Sequence, residues 1–180
     1  MDSRTFNDLI KNNLPIIFDK YNFSIVHSAS SKMFGDCKTI LKSSDSIMRI
    51  STEKGQVQIE ISLINLPYDG FTQDLTPGSK MRWYDLAVIT SFITRGPNQI
   101  NWEYIIPEKG IDKKTRLGNQ MKRINELMTP YWDETIKLFE EKNFASNQEQ
   151  LASFIKQRRE SLLLRWEEIS KNTQQKQTQS

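Results

Sequence analysis

The chain has one cysteine, one histidine and seven glycines among 180 residues, and each scarcity closes off a class of function. A lone Cys37 cannot form an internal disulfide. A lone His27 leaves no triad or dyad of the kind that needs two histidines, and a zinc site would have to be assembled from one His, one Cys and carboxylates. The glycines follow no phosphate-loop spacing. The longest nearly continuous apolar stretch, Leu86 to Ile93, is broken by Thr90 and Ser91 and falls short of the ~20 residues a membrane-spanning helix needs. No integral membrane protein and no membrane partner are expected. The first residues do not join a basic segment to an apolar core and a small-residue cleavage site, so a reducing cytoplasm is the expected compartment. Asp36, Asp45, Glu53, Glu60, Asp69 and Asp74 fall near strands or their loops without paired-acid or metal-ligand spacing. No cofactor, metal or catalytic set is expected, and the protein is expected not to be an enzyme.

What is present is the composition of one ordinary globular domain, with 37% hydrophobic and 26% charged residues. A chain of this length buries roughly 70% of its unfolded surface and needs no staples. The net charge of +3 is unevenly placed. Residues 113 to 180 hold 13 Lys and Arg against 9 Asp and Glu, while the rest of the chain is slightly acidic. We therefore expect a single α+β domain over 1–171, with a sheet-containing part at 1–112, a basic helical part at 113–171, and a disordered tail at 172–180.

The stretch Ile47 to Leu63, IMRISTEKGQVQIEISL, reads as a β-hairpin. Val57, Ile59, Ile61 and Leu63 alternate with Gln58, Glu60 and Ser62, the period of a strand with one buried and one wet face. Met48 and Ile50 alternate with Arg49 and Ser51, and Glu53-Lys54-Gly55 supplies the turn. Before the hairpin, apolar residues from Phe6 to Tyr21 lie on one helical face, with Ser3 as a possible cap and Pro15 as a dividing point. Strands are expected at Phe23 to Ala29 and Cys37 to Lys42, with a turn at Phe34-Gly35-Asp36. Four strands joined by short turns predict an antiparallel meander covered by helices. Asn65 to Lys80 reads as a long loop, Trp83 to Thr94 as a helix ended by Arg95-Gly96-Pro97, and Ile100 to Ile106 as a fifth strand. From Lys113 onward the pattern is helical. Thr129-Pro130 divides one helix from the next, and a capping box of Ser146 and Glu149 opens the last, giving a C-terminal helical hairpin.

Four groups are candidates for partner binding, and each also has an ordinary structural reading. Arg49, Gln58 and Glu60, with Lys38 and Lys42, lie on the polar face of the hairpin, where opposite charges on paired strands also serve the sheet. Glu53 and Lys54 stand at its tip. Trp83 and Tyr84 follow the long loop, where large amphipathic rings anchor interfaces or fill a core. Arg158, Arg159 and Arg165 run along the apolar stripe of Leu151, Ile155, Leu162 and Trp166, placed either to snorkel or to face an acidic partner. His27 and Cys37 read as structural residues.

The segments FGDCKTILKSSDSIMRISTEKGQVQIEISLI at 34 to 64 and WYDL at 83 to 86 resemble a loosely defined group of small bacterial α+β proteins of unassigned function. Members open with a short helix, continue with strands ending in a charged, glycine-containing turn, and carry a Trp-Tyr pair at the next helix. Where the group has Asp-Arg-Gly, this chain has Glu53-Lys54-Gly55, which lacks the arginine fork. The resemblance spans roughly residues 5 to 95. It implies a non-enzymatic partner, such as a toxin-neutralising immunity protein or an accessory factor, and transfers no catalytic residue. The expected function is therefore protein binding. The alternative is a nucleic-acid-binding accessory domain that uses Lys113, Lys114, Arg116, Lys122, Arg123, Lys156, Arg158, Arg159 and Arg165, with affinity falling steeply with salt.

Overall fold

Alternation in the central strands is realised as one antiparallel sheet. The computed structural model describes residues 1–31, 36–53, 55–63, 83–95 and 110–178, excepting the side chains of 162 and 165–178. Its strands are β1 (Ser24–Ser30), β2 (Cys37–Lys42), β3 (Ser46–Glu53), β4 (Gln56–Leu63) and β5 (Tyr84–Asp85), in sequential order across the sheet. The α+β class and the antiparallel meander are as expected. The expected turn at Phe34-Gly35, the loop Asn65 to Lys80, the strand Ile100 to Ile106 and the helix stop at Gly96-Pro97 lie outside the described residues.

Register explains which side chains share a face. Leu41 pairs with Met48, Met48 with Ile61, and Ile61 with Tyr84, so these four form one row across the sheet. All four are buried. In β1 the alternation falters because Val26 is an extra residue: Ile25 pairs with Leu41 and His27 with Ile40. A bulge of this kind turns the following side chains over. Accordingly the face expected to hold Phe23, Ile25, His27 and Ala29 is split, with Phe23 buried, Ile25 half-buried and His27 and Ala29 exposed.

Helix α1 (Ser3–Asn13) buries Phe6, Leu9 and Ile10. Its cap is Asp2 rather than Ser3, for the carboxylate accepts a 2.8 Å bond from the Thr5 N–H. Asn7 ties this helix to the sheet, donating to Ser28 Oγ at 3.0 Å and accepting from Thr39 Oγ1 at 2.6 Å. Pro15 occupies the first position of α2 (Pro15–Asp19), where its missing N–H costs nothing. Helix α3 (Leu86–Thr94) starts later than the expected Trp83. Asp85 caps it through the Ala87 N–H at 2.8 Å, and a cap residue holds extended backbone, which leaves Tyr84 and Asp85 to pair with β4 as β5.

Asp112 caps α4 (Lys113–Met128) through the N–H groups of Lys114 and Thr115. At its far end Thr129 Oγ1 donates back to Asn125 O at 2.8 Å, so Thr129 completes that turn instead of capping the next. Consequently α5 (Trp132–Leu138) begins after Tyr131, and Pro130 is not its first residue. Helix α6 (Glu141–Thr178) begins well before the Ser146 capping box and continues through 172–178, where a disordered tail was expected. The reason is composition: the span has no Pro or Gly to stop it, and Gln, Lys and Glu propagate helix well. The chain divides into two compact units, Met1–Asn143 and Phe144–Ser180.

The hairpin turn is clamped by α4. Gln120 Nε2 donates to Gly55 O at 3.1 Å, and its Oε1 accepts from the Val57 N–H at 2.9 Å. Gly55 has φ of +78°, and a Cβ there would stand 2.6 Å from Arg116 Nη2. A side chain would therefore be strained in its own backbone and would displace the arginine. Gly55→Ala is expected to lower stability by about 1–3 kcal/mol, read as a reduced midpoint in urea unfolding at unchanged m-value.

Candidate functional site

The second face of the sheet carries every other residue of the strands: Lys38 and Ile40 of β2, Ile47, Arg49, Ser51 and Glu53 of β3, and Gln58, Glu60 and Ser62 of β4. The hairpin pattern predicts this face to be wet, and at its centre it is not. Ile40 and Ile47 are fully buried and cluster with Trp83. Arg49 is 7% exposed and Glu60 8%. These two stand directly opposite in the β3–β4 register, and Arg49 Nε donates to Glu60 Oε2 at 2.5 Å. The Arg49 guanidinium lies over the Trp83 ring, with Cζ 4.6 Å from the ring centroid, an arrangement worth about 2 kcal/mol when desolvated.

Beside this pair is a pocket of about 470 Å³, lined by Lys38, Arg49, Ser51, Glu53, Gln58 and Glu60, with Asp36, Cys37 and Thr52 at the strand end. It exists because Lys38, Ser51 and Gln58 form one row across three strands and the middle residue is small. The neighbouring rows are filled by Arg49 and Glu60 on one side and Glu53 on the other. Gln58 Nε2 reaches Glu53 Oε2 at 3.4 Å. The guanidinium is only partly used: its Nε is bonded to Glu60 and its Cζ lies over the Trp83 ring. Among the described residues Nη1 and Nη2 make no hydrogen bond.

Cys37 is buried, and its backbone N–H donates to Thr52 Oγ1 at 2.9 Å. Burial pushes the thiol up from its ordinary value, keeping it protonated at neutral pH, the condition of a packed rather than a reactive thiol. Among the described residues no three His, Cys, Asp or Glu side chains are grouped to hold a metal ion, and no helix is long and apolar enough to cross a membrane.

The structure thus brings together Arg49, Glu53, Glu60 and Trp83 from the sequence candidates. Tyr84 is separated from them. It is buried on the opposite face, with its ring 5.5 Å from that of Phe139, because adjacent strand residues point to opposite sides. Lys54 lies outside the described residues, as does the side chain of Arg165. Arg158 and Arg159 belong to α6 in the second unit, half-buried and exposed respectively. Of the basic residues of α4, Arg116 is packed on the Gly55 turn and Arg123 pairs with Glu126 at 3.3 Å. Sequence reasoning missed Ser51 as the pocket floor, although its place between Lys38 and Gln58 follows from pairing the strands in register. Gln120 gave no signal, since a helix position reveals nothing of the strand it will cap.

A separate polar group joins α2 to α5 on the surface. Asp133 accepts from Lys20 Nζ at 2.9 Å and from Tyr21 Oη at 2.8 Å. The Lys20 bond, then the Tyr21 bond, hold the Asp133 carboxyl below its ordinary 3.8, and the same contact holds Lys20 above 10.5. A lowered acid stabilises the fold above its unfolded value and loses that contribution as pH falls through the folded value; a raised base loses its contribution as pH rises through its own. Asp133→Asn is therefore expected to be less stable than wild type between about pH 4 and 10, with the gap closing outside that window. Urea unfolding of both proteins across pH tests this; a gap that does not narrow as pH falls below about 4 contradicts it.

No protein-family model, curated protein or solved structure matches the chain.

Proposed function

We propose that the protein is a non-enzymatic protein-binding module, acting as an inhibitor or immunity protein for a bacterial toxin or defence factor in the cytoplasm. The observation that supports this reading is on α6. Leu163 and Leu164 are 55% and 63% exposed, and Leu163 lies one helical turn beyond Arg159 of a basic cluster formed with Lys156 and Arg158. Exposed leucines next to arginines on one helix suit a partner whose groove has an apolar floor and an acidic rim. Arginine supplies bidentate contacts there, and apolar burial supplies most of the affinity. The lone, protonated Cys37 thiol is compatible with a reducing compartment.

The test is capture from the native host with the wild-type chain and with a Leu163→Glu, Leu164→Glu variant, whose changes lie at exposed positions. One stoichiometric protein partner is expected with wild type at low and moderate salt, and none with the variant. Recovery of no such partner, or equal recovery by both chains, overturns the reading. Retention of labelled RNA or DNA with a steep salt dependence would instead favour the nucleic-acid alternative.

A further inference from the structure

The pocket on the second sheet face holds a side chain that its surroundings do not fully use. Arg49 has its aliphatic stem and Nε edge buried, yet Nη1 and Nη2 have no hydrogen-bond acceptor among the described residues. Neither group is among the buried atoms left without a partner, so both reach the solvent of the pocket, where a bound acceptor replaces water. Arg49 lines a cavity of about 470 Å³, within the ~300–1,000 Å³ typical of small-molecule sites. Lys38 and Ser51 line the same cavity, so its charge and hydroxyl reinforce an acceptor placed at the Nη edge. The planar fork of arginine matches a carboxylate bidentately.

A simple anion is nevertheless a poor match. Glu60 already neutralises Arg49, and Glu53 and Asp36 also line the cavity. A dicarboxylate would meet repulsion from these acids. A ligand with a positive group close to its carboxylate meets attraction at both ends.

We propose that this pocket binds a small zwitterion of the α-amino acid class, the carboxylate held by Arg49 Nη1 and Nη2 and Lys38, the ammonium by Glu53. The site goes beyond the protein-binding reading and does not depend on it, since it lies on the sheet and the exposed leucines lie on α6. A protein with both would be a binding module that also responds to a metabolite.

The experiment follows the Arg49 Nε–Hε signal by nuclear magnetic resonance in the full chain during addition of each common α-amino acid, with acetate and methylammonium as single-charge controls. At least one amino acid is expected to give a saturable shift below ~10 mM, with neither control doing so. Lys38→Met and Glu53→Gln, at positions that are not deeply buried, are expected to retain the fold and to weaken binding about tenfold each, as removal of one charged hydrogen-bond partner does. No saturable shift from any amino acid overturns the proposal. So does saturation by acetate alone with Glu53→Gln unchanged, which would make the pocket a plain anion site.

Discussion

Glu60→Ala is expected to destabilise the protein by about 3–5 kcal/mol, because it leaves the guanidinium of Arg49 charged, buried and without its carboxylate. The magnitude follows from burial rather than from the attraction itself. Both groups are nine-tenths or more withdrawn from water, and their bond is a direct cross-strand contact in register. The loss should exceed anything an exposed pair such as Arg123 and Glu126 can produce, since such pairs contribute about 0–1 kcal/mol. The double variant Arg49→Met, Glu60→Leu removes both charges and keeps apolar volume beside Ile40, Ile47 and Trp83. It should recover most of the lost stability, because two apolar groups there have nothing left unsatisfied. Denaturant unfolding of wild type, Arg49→Met, Glu60→Leu and the double variant, beside Glu60→Ala, measures the outcome. Additive losses in the double variant would mean that the pair is not coupled.

Phe139→Ala is the second large effect, with an expected loss of about 3–5 kcal/mol for a fully buried ring. Phe139 is the residue that ends α5, and it packs on Tyr84 from β5, so its removal opens a cavity between an edge strand and a helix. The same pair distinguishes the two aromatic candidates of the sequence. Tyr84 is a core residue whose truncation should register in stability, with no direct effect on any ligand at Arg49. Trp83, one residue earlier, lies under that arginine and should register in both. Unfolding midpoints of Phe139→Ala and Tyr84→Ala, measured beside the Arg49 signal in each folded variant, separate these roles.

The hairpin was legible because Met48, Ile50, Ile59 and Ile61 obey the period of two that register demands. The same regularity misleads on the other face. Arg49, Glu60 and Ser62 read as wet, yet they share that face with Ile40 and Ile47, and at its centre the apolar members determine the burial. The clue in the sequence is Ile40 standing between Lys38 and Lys42, an apolar side chain where a wet strand has none. The bulge at Val26 and the pairing of Tyr84 with Ile61 are set by contacts between residues far apart in sequence. Local patterning carries no information on those. The pocket was half legible: Arg49, Glu53 and Glu60 stood out as charges on a strand, whereas the space among them depends on Ser51 being small.

Arg49 is a buried arginine at the centre of the second face, lying over Trp83 and hydrogen-bonded through Nε alone among the described residues. Side-chain nuclear magnetic resonance of the unliganded protein tests this directly. The Arg49 Nε–Hε resonance should be resolved from the solvent-exposed arginines, shifted by the Trp83 ring, and slow to exchange with water. A resonance that averages into the exposed arginine envelope and exchanges at their rate would contradict it.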